Sequence, residues 1–171
     1  MAIKVDQVMC QDIVTAHWTE DLRSAYNKMV RVGIRHLPVV DDKGELMGII
    51  SDRDFQRAMK GGSQYRSGFS SQPEFDAEML VRDYMTHPVK TVDTKSDLKS
   101  VAHIMIDKKI SAVVIVNEDL KMVGIVTHED LLRVLIDLLD DRVENAIDDV
   151  KEYAYNSPIG SMVNTLNQVG I

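Results

Sequence analysis

Apolar and polar positions along the chain fall into short blocks whose period changes from one block to the next. Ile13-Val14-Thr15-Ala16 is too short a run for a helix and predicts a strand. From Leu22 to Val32 the apolar residues Leu22, Ala25, Tyr26, Met29 and Val30 recur at steps of three and four, one face of a helix. Thr19 or Asp21 is placed to cap that helix and Gly33 to end it. His36-Leu37-Pro38-Val39-Val40 then reads as a buried strand, Asp41-Asp42-Lys43-Gly44 as a hairpin turn, and Leu46 to Ile50 as the returning strand. A second helix is expected from Asp52 to about Lys60. The order is β-α-β-β-α, and it returns from Val89 to Val134.

The return is a duplication. Gly48-Ile49-Ile50-Ser51-Asp52-Arg53-Asp54 recurs as Gly124-Ile125-Val126-Thr127-His128-Glu129-Asp130, an offset of 76. At that offset Val5 to Arg57 aligns on Val81 to Arg133 without a gap, with identities at Met9 and Met85, Asp21-Leu22 and Asp97-Leu98, Ile34 and Ile110, Val40 and Val116, and Arg57 and Arg133. The chain therefore divides into a first repeat (1–60), a linker (61–78), a second repeat (79–136) and a C-terminal helical extension (137–171). Glycine and serine dominate the linker from Gly61 to Pro73, where Tyr65, Arg66 and Phe69 suit either a lid over a ligand or an ordinary exposed connection. In the extension, Leu131, Leu132, Leu135, Ile136, Leu139, Val143, Ile147, Val150 and Ala154 form one face of a long helix whose other face is acidic. Ser157-Pro158 stops it, and Ile159, Met162, Val163, Leu166 and Val169 make a last apolar face. Such a tail packs either on its own domain or on another subunit, and both alternatives stand.

Each copy of the repeated motif carries a glycine, two apolar residues, a hydroxyl and, three positions later, a carboxylate that opens a helix. Taken singly, that is a helix-capping pattern. A helix N-terminus also presents free N–H groups and partial positive charge to a phosphate. A carboxylate beside it can accept from the vicinal hydroxyls of a ribose. Duplication that keeps both groups shifts the balance towards a ligand, namely a nucleoside phosphate.

Composition narrows the alternatives. A net charge of −7 disfavours nucleic acid as the main partner. The single cysteine, Cys10, allows no internal disulfide. The start Met1-Ala2-Ile3-Lys4-Val5-Asp6 has no apolar leader pattern, and no uncharged run reaches the ~18 residues of a spanning helix. A soluble cytoplasmic protein without membrane contact is expected. Ten methionines suit a core or interface that tolerates small movements, and also plain core filling. His17, His36, His87, His103 and His128 are scattered with no zinc-ligand spacing. No phosphate-loop lysine motif, glycine-framed serine or HExxH is present, so no enzyme is expected.

The two β-α-β-β-α units, with a strand of the Gly33-Ile34-Arg35-His36-Leu37-Pro38-Val39-Val40 kind and the closing glycine-to-aspartate motif, resemble a CBS domain pair (Bateman module) of the stand-alone bacterial or archaeal type. The resemblance spans Val5 to about Leu135. The second copy departs in part, since Ile110-Ser111-Ala112-Val113-Val114-Ile115-Val116 lacks the glycine and the proline. It implies an α/β (α+β) fold in which tandem repeats pack with pseudo-twofold symmetry around two clefts. It also implies AMP, ADP, ATP or S-adenosylmethionine as regulatory ligand with no other cofactor, a homodimer, and regulation of an unknown protein effector. Carried over by residue, Asp54 and Asp130 would hold a ribose in their respective clefts, with Ser51 and Thr127 near the phosphate. Val14, Ile34 and the backbone near Met9 and Cys10 would wall the Asp130 cleft, with Arg35 and Arg53 facing phosphates. Lys90, Ile110 and Ser111 would wall the Asp54 cleft, with Glu129 where Arg53 stands in the other. On that assignment the Asp130 cleft is expected to bind the nucleotide more tightly. Arg35 and Arg53 could instead pair with surface carboxylates such as Asp52, and His36 and His128 either touch a ligand or are locally bonded. A dimerisation and docking scaffold with vestigial clefts is the competing reading.

Overall fold

The structure, a computed structural model, describes residues 2–59 and 75–140. Most of the expected linker, including Tyr65, Arg66 and Phe69, and the extension beyond Asp140 lie outside the described residues. In the first repeat the order is β1 (Ala16–His17), α1 (Leu22–Val32), β2 (His36–Val40), β3 (Leu46–Ser51) and α2 (Asp52–Ala58). In the second it is β4 (Thr91–Asp93), α3 (Leu98–Lys108), β5 (Ala112–Val116) and β6 (Met122–Thr127), followed by helix over 128–140.

Local chemistry sets most of these limits. Asp21 Oδ1 accepts from the Ser24 N–H at 2.9 Å, which caps α1, and the strength of that bond holds the carboxyl below the usual aspartate range. Gly33 ends α1 in the left-handed region at φ 73°. The aligned residue after α3 is Lys109, which takes the same turn at φ 55° with a side chain. β1 is shorter than the expected strand at Ile13–Ala16 and lies towards its end. The Thr15 carbonyl accepts from Lys28 Nζ at 2.9 Å, and the ladder to β2 starts only at Ala16.

Each repeat builds one mixed three-stranded sheet, in the orders β1-β2-β3 and β4-β5-β6. The first pair in each is parallel and the second antiparallel, with a bulge at Val39/Val40 and again at Ile115/Val116, the same place in both copies. Leu37, Val39 and Ile50 are fully buried in one sheet, and Val113, Val114, Ile115 and Val126 in the other. Phe55 of α2 meets Tyr26 and Phe75 at centroid distances of 5.6 and 6.1 Å, which fixes α2 against α1.

Each repeat lends its first segment to the other. Thr86 and Ile49 exchange two backbone hydrogen bonds (2.8 and 3.0 Å), so the second repeat's leading segment extends the first sheet. Cys10 and Ile125 do the same in the opposite direction (2.9 and 3.0 Å). The first N–H groups of the helices are satisfied in the same crossed way, Leu22 by the Met79 carbonyl and Leu98 by the Ile3 carbonyl, each at 2.9 Å. Met79, Val81, Tyr84 and Met85 pack in the first repeat's core with Leu22, Leu37 and Phe55. These reciprocal exchanges are the pseudo-twofold relation between the repeats.

By contact the chain divides into a unit ending at His128 and a second beginning at Glu129. The described part of the second unit is helical, with an ion pair between Arg133 and Glu129 at 3.1 Å. Among the described residues, no helix is long and apolar enough to cross a membrane.

Candidate functional site

The turn from β3 into α2 is built around Asp54. β3 delivers Ser51 to the helix start, and Asp54 stands three residues on, so its carboxylate folds back over the turn. Asp54 Oδ2 accepts from the Ser51 N–H at 2.7 Å and from Ser51 Oγ at 2.6 Å. Oδ1 accepts from Arg57 Nη2. Asp54 is the buried charged residue among those described, 4% exposed. A carboxylate so placed must be paired, and here it is. The capping reading of the motif is thus realised in the first copy, with the aspartate as the acceptor of both Ser51 donors.

Asp54 lies at a cavity of about 520 Å³. One wall is the first repeat's own turn, from which Ser51, Arg53, Asp54 and Arg57 project, with His36 opposite Ser51 in the β2–β3 register. The facing wall comes from the second repeat: Thr86, Pro88, Val89 and Lys90 on the segment that crosses to the first sheet, and Lys109 to Ala112 at the entry to β5. His36 Nε2 and Ser111 Oγ, 2.8 Å apart, tie the two walls together. Burial holds the His36 imidazole below its usual pKa; Arg53 and His128 push the same way, against the opposing pull of Asp52 and Asp54.

The cavity is electropositive within an acidic chain. Arg53, Arg57, Lys90 and Lys109 line it against the single carboxylate of Asp54, while the whole chain carries −7. Arg53, which the resemblance assigned to the Asp130 cleft, is among the residues lining this one. It directly precedes Asp54 on the first turn of α2 and follows its own helix start.

The structure brings Asp54, Ser51, His36, Ile110 and Ser111 together at the cavity, with Lys90. Val14 and Ile34 pack, half-buried, against the first repeat's core. Arg35 is exposed and gives its carbonyl to the Asp52 N–H at 3.1 Å. The counterpart in the second copy is the His128 N–H on the Ser111 carbonyl at 3.0 Å, and the His128 ring lies 3.5 Å from that oxygen. Thr127 ends β6 opposite Ala112. Asp130 stands in the helix of the second unit. Sequence reasoning did not single out Arg57 or Lys109. Arg57 had a signal, its identity with Arg133 and its place one helical turn beyond Asp54. Lys109 had none, since it stands where the first copy has a helix-ending glycine. No group of His, Cys, Asp and Glu among the described residues is arranged to hold a metal ion.

Two mixed sheets joined by reciprocal strand exchange, each with a carboxylate at the turn into its last helix, define a duplicated α+β ligand-binding module. The CBS domain model matches residues 5–61 and again 81–137, and the chain belongs to the CBS domain family. An uncharacterized protein of Methanopyrus kandleri is 33% identical over 133 residues, 78% of this chain and 63% of that protein. The chain spans less than two thirds of the length of the first curated relatives it matches. Among solved structures, a CBS domain pair in complex with 5′-methylthioadenosine and S-adenosyl-L-methionine is 28% identical with a TM-score of 0.66, over 79% of this chain and 97% of that one. The cytosolic domain of the Mg2+ channel MgtE in complex with ATP is 26% identical with a TM-score of 0.60, over 77% of this chain and 48% of that one. Pairs of this domain are regulatory ligand-binding modules.

Proposed function

We propose that the chain is a regulatory module, not an enzyme, that takes an adenine nucleotide of the AMP, ADP or ATP type at Asp54 and signals through a change in the angle between its repeats or in a homodimer contact. The observation that carries this reading is a buried aspartate at a cavity lined by Arg53, Arg57, Lys90 and Lys109. A ribose needs the acceptor, and a phosphate chain needs the cations. The nucleotide acts as a regulatory ligand and not as a resident cofactor. Its listener is a further protein in the cytoplasm, and the module switches only if that nucleotide prefers one arrangement of the repeats. By the duplication, Thr127 and Asp130 are the sequence counterparts of Ser51 and Asp54.

S-adenosylmethionine is the alternative ligand, favoured by its presence in a related CBS pair. Its sulfonium adds positive charge beside four cationic side chains, which supports the anionic ligand over it. Thermal denaturation with AMP, ADP, ATP, S-adenosylmethionine and adenosine tests the reading. A ligand at 100 times its dissociation constant adds about 2.7 kcal/mol. Asp54→Asn should lower the affinity of the stabilising nucleotide about tenfold, as loss of a charge-assisted acceptor does. No shift with any adenosine compound removes the ligand-binding reading and leaves the scaffold.

A further inference from the structure

We infer that Arg57 is a specificity residue that holds the Asp54 carboxylate until a ligand's diol takes its place and then turns to that ligand's phosphate, so that the cavity selects nucleotides over the corresponding nucleoside. The inference rests on the nucleotide reading above.

The two oxygens of Asp54 are held in different ways. Oδ2 is bound by two donors of Ser51, its backbone N–H and its hydroxyl, inside the turn that starts α2. Oδ1 is bound by a side chain that reaches in from solvent: Arg57 is 74% exposed, while Asp54 is 5% exposed at its side chain. Little holds an exposed guanidinium in one place. A buried carboxylate, by contrast, cannot be left with a lost partner. Arg57 therefore leaves at least cost when another donor takes its place, and the vicinal hydroxyls of a ribose are donors of that kind.

Release of Arg57 has a consequence that depends on the ligand. Arg53, Lys90 and Lys109 line the same cavity, so the freed guanidinium stands among like charges. A phosphate turns that repulsion into attraction. A nucleoside without phosphate displaces Arg57 and offers nothing in return. The second copy of the motif differs here: Arg133, the counterpart of Arg57, bonds Glu129, and Glu129 stands where the first copy has Arg53.

Calorimetric titration of AMP and adenosine into the full chain, its Arg57→Ala variant and its Arg57→Gln variant provides the test. Loss of one charge-assisted bond should weaken AMP about tenfold in Arg57→Ala, while adenosine binds equally well or more tightly, so that the preference for AMP collapses. Arg57→Gln retains a donor for Asp54 and should keep the wild-type melting temperature while showing the same collapse. If both variants weaken AMP and adenosine by one common factor, or leave both unchanged in a protein that binds AMP, the exchange does not occur although the nucleotide reading survives. If the wild type binds neither AMP nor adenosine, the nucleotide reading itself falls and takes the exchange with it.

Discussion

Lys109 shows how a single residue serves two demands. It ends α3 in the left-handed region at φ 55°, ψ 40°, where its first-copy counterpart is Gly33, and it also lines the cavity. A side chain in that conformation costs roughly 1 kcal/mol relative to glycine. Lys109→Gly is therefore expected to raise stability in urea by about 0.5–1 kcal/mol and to weaken nucleotide binding, a trade between strain and function. His36 makes a second prediction. Its pKa lies below the 6.5 of a free imidazole because it is buried, so the unfolded chain binds its proton first as the pH falls. Stability that is complete above pH 6.5 is lost as the pH drops below it and through the lower folded value. The melting temperature of the wild type should fall more steeply below pH 6.5 than that of His36→Gln. An equal fall in both would show that His36 ionises freely in the fold.

At the scale of elements, the crossed segments touch their host sheets where the sheets have no side chain. A Cβ at Gly48 would overlap the Met85 thioether, and one at Gly124 would overlap that of Met9. The two close approaches are copies of each other and lie next to the bridges Ile49–Thr86 and Cys10–Ile125. Gly48→Ala is expected to cost about 1–3 kcal/mol by overpacking. Met85→Ala in the same chain should recover part of that cost, and a double-mutant cycle in urea measures the coupling. Strict additivity of the two substitutions would mean that the segment does not press on Gly48. Because α2 follows directly from β3, a shift of this segment moves the turn that holds Ser51 and Asp54.

For the molecule as a whole, the exchange means that a repeat cut out at its sequence boundary lacks its own edge. The first sheet is completed by residues 79–86, and the second by the segment around Ile3 to Cys10. A fragment of residues 1–59 has lost Val81, which is fully buried, and the packing of Met79, Tyr84 and Met85. A fragment of residues 11–86 retains them. The longer fragment is expected to unfold cooperatively in urea and the shorter one to show no folded baseline. The opposite order would mean that the borrowed segment contributes little to the core.

Much of this architecture was legible beforehand. The limits of α1, its end at Gly33 and the β2–β3 hairpin follow from periodicity and from hydrogen bonds between near neighbours, which the order of residues specifies directly. The duplication and the hydroxyl-to-acid spacing are likewise written along the chain. The crossing of the first segments came only with the family resemblance, which placed the backbone near Met9 and Cys10 beside the second repeat's acid; periodicity alone is silent on it, because Met9 and Met85 are identical and either sheet offers the same glycine. Of the company of Asp54, the resemblance placed Lys90, Ile110 and Ser111, whereas Arg53, Arg57 and Lys109 join it only when two repeats close on one cavity. Periodicity and capping act within a few residues and can be read in one dimension. Burial and charge act through space, and their partners are chosen by folding.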